Sequence, residues 1–422
     1  MQLPRSAVVV GGNRTPFAKA NGAYASASNL DLLTAALDGL VARFGLAGRQ
    51  LDEVAAGAVL KHARDFNLTR EAVLSSALAP TTPAVDLQQA CGTGLEAVIY
   101  IANKIALGQA DVGIGGGVDS ASDAPIAVSE GLRRALLAAN RAKTLPQRLQ
   151  ALASIRLSHL APVAPQVVEP RTGLSMGEHQ ARTTASWGIS REAQDELAAA
   201  SHHNLARAWD GGFFDDLVTP YLRVTRDNIL RPDTSVEKLA ALKPVFGDTM
   251  TAGNSTSLTD GAAVVLLAEQ EWARANGLPV LARVVDAQVA AVDHTSGDDL
   301  LLAPAHAVAR LLARQGMKLG DFELYELHEA FASTVLATLA AWESADFCQD
   351  RLGLDAPLGS IDRSRLNVDG SSLAAGHPFA ATGGRIVATL SKLLHERGPG
   401  ARGLVSICAA GGQGVAAILE AV

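Results

Sequence analysis

Cys91-Gly92-Thr93-Gly94-Leu95-Glu96-Ala97-Val98-Ile99-Tyr100-Ile101-Ala102-Asn103-Lys104-Ile105-Ala106-Leu107 is the stretch on which the fold turns. Leu95, Val98, Ile99, Ile101, Ala102, Ile105 and Leu107 go most of the way round a helix, with Glu96, Asn103 and Lys104 as the polar exceptions. A helix apolar on nearly every side is buried on nearly every side. It is expected between two layers, with Cys91 at its N-terminus.

Outward from this helix, short β-branched runs bounded by glycine at 7–10, 112–114, 264–267 and 404–407 read as buried strands. Helical spacing at 29–44 and 304–315 separates them, so the class is α/β. The order repeats. Thr93-Gly94 leads to a helix, Gly108, a strand at Val112 and Gly115-Gly116-Gly117; Thr382-Gly383 leads to a helix, Gly398, a strand at Leu404 and Gly411-Gly412. This spacing suggests a duplicated α/β half. Residues 126–250 break the alternation. Two helices, 131–143 and 147–160, are expected to meet at Leu145-Pro146 as a hairpin carrying Arg133, Arg134, Arg141, Lys143, Arg148 and Arg156 against one acid, Glu130. Pro162, Pro165 and Pro170 follow as a stiff connector. The expected division is 1–125 with 250–272 as the first half, 126–249 as an inserted loop domain, and 273–422 as the second half.

The chain has 422 residues, 48% apolar and only 4% aromatic, so its core must come from Ala, Val, Leu and Ile. A net charge of -7 argues against a nucleic-acid binder. Three cysteines are too few for a disulfide framework, and a reducing cytoplasm is expected. The apolar run after Met1-Gln2-Leu3-Pro4-Arg5 is too short for a signal h-region, and no stretch has the roughly 18 apolar residues of a membrane span.

Two of the cysteines sit in glycine-rich settings that suit chemistry. A helix N-terminus carries partial positive charge and free N–H groups, which is expected to lower the Cys91 thiol from about 8.5 towards neutrality. His377, in Ala374-Ala375-Gly376-His377-Pro378-Phe379, is pinned between glycine and proline, and its imidazole could deprotonate Cys91. Cys408 opens Cys408-Ala409-Ala410-Gly411-Gly412 after a strand and suits proton exchange. Two thiols and an imidazole suggest acyl transfer through a thioester; against this stands simple core packing, an alternative that weighs more for Cys408 than for Cys91. Three motifs are set aside. Gly173-Leu174-Ser175-Met176-Gly177 fits a nucleophile elbow, but Val168-Glu169-Pro170-Arg171-Thr172 before it is no buried strand. Gly113-Ile114-Gly115-Gly116-Gly117 opens no helix as a dinucleotide loop would. His328-Glu329-Ala330-Phe331-Ala332 lacks the second histidine of a zincin, so no metal is expected. Cys348 has no such setting and is expected to be inert.

Arg14-Thr15-Pro16-Phe17, Gln89-Ala90-Cys91-Gly92-Thr93-Gly94-Leu95, Ser175-Met176-Gly177, Thr251-Ala252-Gly253-Asn254, Asp260-Gly261-Ala262-Ala263, His328-Glu329-Ala330-Phe331-Ala332, Gly376-His377-Pro378 and Cys408-Ala409-Ala410-Gly411-Gly412 occur in the order found in thiolases, which the chain resembles along nearly its whole length. The resemblance implies duplicated βαβαβαββ halves stacked in layers around buried central helices, plus an inserted loop domain. It implies Cys91 as nucleophile, His377 as its base and oxyanion donor, and Cys408 as acid/base on the second substrate. A first oxyanion site would use His377 and His328, where thiolases usually hold an asparagine. A second would use the backbone N–H groups of Cys91 and Ala410. Met176, Ala252, Thr256 and Phe331 would contact substrate or coenzyme A, a co-substrate rather than a bound cofactor. Gly370-Ser371-Ser372 replaces a usual double glycine. His-Glu-Ala-Phe with Gly-His-Pro-Phe resembles the thiolase subunit of fatty-acid β-oxidation trifunctional complexes. That implies cleavage of 3-ketoacyl-CoA, a homodimer or dimer of dimers, and a hydratase/dehydrogenase partner or membrane surface met by hairpin 131–160. The alternatives are the reverse condensation of two acetyl-CoA molecules and a non-catalytic acyl-CoA-binding scaffold.

Overall fold

The structure is a computed structural model and describes residues 5–297 and 299–422; residues 1–4, part of the leader reading above, lie outside it. Its centre is a ten-stranded sheet built from β1 (Ala7–Arg14), β2 (Ala18–Lys19), β3 (Glu53–Ala56), β4 (Ala84–Asp86), β5 (Val112–Ser120), β6 (Thr259–Glu269), β7 (Ala282–Ala291), β8 (Leu324–Leu327), β9 (Arg402–Ala409) and β10 (Gln413–Ala421), in the order β8-β9-β10-β7-β1-β6-β5-β3-β4 with β2 on β6. β3 runs parallel to β5, which is followed by antiparallel β6 and β1; β8 runs parallel to β9, which is followed by antiparallel β10 and β7. The same four-strand pattern occurs twice. The two sets meet where Val8 pairs Arg283 and Val9 pairs Ala282.

Strand alternation divides the core into layers, because successive side chains point to opposite faces. Val8, Val10, Val264 and Leu266 pack outward with helix α1 (Asn29–Phe44). Val9, Val265, Leu267, Val405, Ile407, Val415 and Leu419 face inward onto helices α2 (Thr93–Ala106) and α4 (Ala381–Arg397). Leu404, Ala416 and Ile418 face the opposite outer layer, which holds α3 (Ala303–Gln315). Two helices thus lie between the two halves of the sheet, as the apolarity of residues 95–105 suggests, whereas Leu107 falls beyond the helix end and is exposed. Leu95, Val98, Ile99, Ile101 and Ile105 are all buried, and at about 1.5–3 kcal/mol each these five side chains contribute on the order of 10 kcal/mol.

Helix α1 occupies the expected 29–44: Ser28 and Asp31 form a capping box, and Gly45 closes it at φ 63. Glycines 115–117 continue β5 rather than forming a turn after it. They permit close approach, since a Cβ on Gly115 would lie 2.6 Å from the Val98 Cα of α2. The hairpin also differs from expectation. Its helices are Glu130–Arg141 and Leu145–Ala153, followed by a 3-10 turn at Leu157–Leu160. Pro146 is not the junction but part of the second helix's first turn, where its missing N–H costs nothing. Arg133 and Arg134 pair with Glu130, and Leu145, Leu149 and Leu157 are exposed beside them.

Candidate active site

Cys91 sits at a strained turn. Ala90 adopts φ 46, a left-handed conformation that side chains disfavour. Thr93 holds it there: its hydroxyl donates to Ala90 O at 2.7 Å and accepts from Gln89 N at 2.8 Å. No side chain caps α2, so the sulfur is presented where the helix begins. His377 lies between the short helix Ser372–Ala375 and α4, after Gly376 at φ 99. Its Nε2 is 3.1 Å from Cys91 Sγ and its Nδ1 is 2.6 Å from Thr382 Oγ1. A thiol donates to Nε2 only if the imidazole proton is on Nδ1, and the Thr382 hydroxyl can accept that proton, so the contact accommodates the basic tautomer.

Burial and the Arg385 charge push His377 down to about 3, so it is neutral. The expected lowering of Cys91 does not occur. Burial pushes the thiol up to about 12; N–H groups of Ala410 and Cys91 itself oppose this, and the Asp119 carboxylate adds to it. The sulfur is half-buried and faces a cavity, and water there tempers the push without reversing it. The pair rests as thiol and neutral imidazole. Cys408, next to last in β9, is 3% exposed and is held as a thiol by burial and by Cys91.

His328 follows β8, anchored by its N–H to Ser406 O at 2.9 Å. Its Nδ1 is 2.8 Å from Ser372 Oγ, which accepts from Arg385 Nη2 at 2.9 Å. Arginine can only donate. With one lone pair taken, the serine hydroxyl is free to direct its own proton at His328 Nδ1, the arrangement that leaves a proton on Nε2. That Nε2 is buried without a protein partner, a donor available to an oxyanion. The His328 and His377 rings lie 4.2 Å apart. Burial, His377 and Arg385 all depress the His328 pKa, so it too is neutral.

The cavity has a volume of about 320 Å³ and is lined by Cys91, His377, Cys408, Ala410, Met176, Thr256 and Phe331 among others. Ala252 does not reach it: it is exposed in a turn held by Asn254, whose Oδ1 accepts from Thr251 N at 2.7 Å. His328 lies one layer deeper, beside Cys408 and Ser406. Ser175 is a helix cap, accepting from Glu178 N. Cys348 is buried against the carbonyls of Ala341 and Trp342. Thr382 and Ser372 were noted in the sequence, as part of the repeat and of a departure from a double glycine, but without a role; Arg385 was missed, its one local signal being a charge within an apolar helical run. Glu329 also escaped it. Its buried carboxylate accepts from Ser201 Oγ, Asn367 Nδ2 and Leu373 N, tying the 371–373 loop to the strand end that bears His328.

Residues 7–271 match the family model of the thiolase N-terminal domain, and 278–421 that of the thiolase C-terminal domain. The 3-ketoacyl-CoA thiolases of Yersinia pestis (strain Pestoides F) and Yersinia pseudotuberculosis serotype O:3 (strain YPIII) are each 41% identical, over 98% of this chain and 96% of theirs. The crystal structure of the Bacillus anthracis acetyl-CoA acetyltransferase superposes with a TM-score of 0.82 at 30% identity, covering 100% of both chains.

Proposed function

The chain belongs to the thiolase family, and on that premise we propose that it cleaves 3-ketoacyl-CoA with coenzyme A, giving acetyl-CoA and an acyl-CoA two carbons shorter. The 3.1 Å contact between Cys91 Sγ and the Thr382-anchored His377 carries this reading. His377 Nε2 takes the thiol proton as Cys91 attacks the 3-keto carbon. The C2–C3 bond breaks, its electrons form the acetyl-CoA enolate, and Cys408 protonates that carbon. His377 then already holds a proton, so the incoming coenzyme A thiol gives its own to the Cys408 thiolate. Attack on the acyl-Cys91 carbonyl releases the Cys91 sulfur, which recovers its proton from His377. Donors aimed at the developing oxyanions, His328 and His377 on one side and the Cys91 and Ala410 N–H groups on the other, would supply roughly 2.7–4 kcal/mol each.

Met176, Thr256 and Phe331 would hold the acyl-pantetheine chain from the cavity wall, with no permanently bound cofactor. The reverse condensation remains the second reading, because the superposed Bacillus protein is an acetyl-CoA acetyltransferase. Thiolysis rates from acetoacetyl-CoA to long-chain ketoacyl-CoA separate the two. Cys91→Ala should abolish thiolysis with the fold intact by circular dichroism; undiminished turnover would sink the mechanism.

The twice-occurring strand pattern supports the division into halves 1–125 with 250–272 and 273–422, interrupted by 126–249. The hairpin, with exposed leucines beside arginines, would meet a hydratase/dehydrogenase subunit or a membrane surface, in an assembly of dimers. Among the described residues no helix is long and apolar enough to cross a membrane. Three free cysteines support a cytoplasmic home.

A further inference from the structure

One ligand atom each from Cys91, His328 and His377 lies within 4.8 Å of the other two. Both imidazoles have Nδ1 engaged by a hydroxyl, Ser372 for His328 and Thr382 for His377. Nε2 is therefore the atom each turns to the site, that of His377 towards Cys91 Sγ. The His328 Nε2 is buried, at a residue only 2% exposed, and has no partner in the protein. Metal-binding histidines carry a hydrogen-bond partner on the far nitrogen, usually a carboxylate, carbonyl or water, to fix ring orientation; here hydroxyls stand in that place. Tetrahedral zinc, with bonds of about 2.3 Å to sulfur and about 2.0–2.1 Å to nitrogen, places its ligands roughly 3.3–3.6 Å apart. The Cys91–His377 spacing of 3.1 Å is close to that, and a side-chain shift of about 1 Å brings in His328.

We propose that Cys91, His328 and His377 form a site for a thiolate- and imidazole-preferring divalent cation of the zinc type, and that free Zn²⁺ reversibly blocks the enzyme there. Two imidazoles and one thiolate favour zinc over calcium or magnesium, which prefer oxygen. Three protein ligands leave a fourth position for water, and the cavity gives the ion a path to Cys91. The ion displaces the Cys91 thiol proton, so one proton leaves per ion bound. His328 stays neutral but moves its proton to Nδ1. Ser372 then accepts from both His328 and Arg385, at the cost of the hydrogen bond it formerly donated. Arg385 opposes a nearby cation, and buried Glu326 and Glu329 partly offset it. The site is unrelated to the zincin pattern, since position 332 is alanine.

The inference rests on the proposed active site, but its test needs no substrate. The chelator-treated chain is titrated with Zn²⁺ alone and with Co²⁺ alone. One ion should bind per chain, with one proton released, and Co²⁺ should give a thiolate-to-metal charge-transfer absorption. Cys91→Ala should abolish that absorption. His328→Asn should weaken binding at least about tenfold, the lower end of what even an outer-shell partner costs. Cys348→Ala should change nothing. Zn²⁺ should inhibit thiolysis, chelator should reverse it, and acylation of Cys91 should protect. Absence of stoichiometric binding, a thiolate band surviving in Cys91→Ala, or unweakened binding in His328→Asn each overturns the site. A chain that binds Zn²⁺ in this way yet shows no thiolysis upholds the site and overturns the function.

Discussion

Around Cys91 the start of a helix and the surrounding burial pull the thiol in opposite directions, and burial wins. The helix effect is worth roughly 0.3–1 kcal/mol at a surface, whereas each pKa unit of desolvation is about 1.36 kcal/mol. This has a consequence for pH. A thiol raised towards about 12 gains thiolate about tenfold per pH unit and does not saturate near neutrality. Cys91 alkylation by iodoacetamide should therefore keep rising with pH beyond about 9; a plateau below about 8 would reveal a resting thiolate–imidazolium pair instead. At His328 the tautomer argument predicts a second effect. Ser372→Ala removes the hydroxyl that directs the imidazole proton to Nε2. kcat should fall about tenfold or more, short of the hundredfold-plus loss of a whole oxyanion donor, with little change in KM. Ser372→Thr should restore it, and the imidazole ¹⁵N shifts should report loss of the Nε2–H form in the alanine variant; unchanged shifts and kcat would exclude the relay. Cys91, His377 and Cys408 were legible as residues because each stands in a short glycine- or proline-marked motif; His328, in His328-Glu329-Ala330-Phe331-Ala332, was picked out only by the thiolase resemblance. The roles of Ser372, Thr382 and Arg385 were not legible, since a hydroxyl that orients a ring is chosen by three-dimensional proximity and leaves no local spacing to read.

Helix α2 was legible for the opposite reason: burial on all but the stripe of Glu96, Tyr100 and Asn103 writes itself into every turn of its sequence. What it packs against was only half visible. The repeated Thr-Gly pairs, Thr93-Gly94 and Thr382-Gly383, turn out to touch each other. A Cβ on Gly94 would fall on the Ala380 carbonyl, and one on Gly383 on the Leu95 backbone nitrogen. The two central helices thus meet start to start, and that contact brings Cys91, on one, beside His377, which precedes the other. Backbone cannot give way as a flexible side chain does. Gly383→Ala is therefore expected to cost about 3 kcal/mol or more, at the upper end for overpacking, and to lower kcat by moving His377 from Cys91. A folded variant with wild-type urea midpoint would show that the helices can separate freely. The glycines of β5 illustrate what local reading misses. Glycine lowers strand propensity, so 115–117 read as a turn. In the structure those positions are strand, and a side chain there would run into Val98 of α2 at 115, Ala263 and Val264 of β6 at 116 and Ala380 at 117, long-range constraints that override local preference.

At the scale of the whole molecule the question is how the excursion between β5 and β6 is held to the duplicated core, since it supplies Met176 and other parts of the cavity wall. Glu329 and Ser201 make one tie. The stronger one is Asp227. Its carboxylate accepts from Arg14 Nη1 at 2.6 Å and Nη2 at 2.7 Å, from Phe17 N at 2.7 Å and from Trp209 Nε1 at 3.2 Å. Arg14 ends β1 and also lies against the rings of Phe17, Trp209 and Phe214. The side chains of Arg14 and Asp227 are 4% and 0% exposed. The Arg14-Thr15-Pro16-Phe17 motif marked this region in the sequence, but nothing near 227 announced its partner, which stands 213 residues away. A buried pair is costly to desolvate, so its value lies in both partners being present. Asp227→Ala strands a guanidinium and two N–H donors in the interior, and should cost about 3–5 kcal/mol. Replacing Arg14 as well, in Arg14→Met/Asp227→Ala, removes the stranded charge and should recover part of that loss. Urea denaturation at fixed chain concentration measures both. A double variant less stable than Asp227→Ala would mean that the arginine stabilises the junction through its aromatic contacts rather than through the carboxylate.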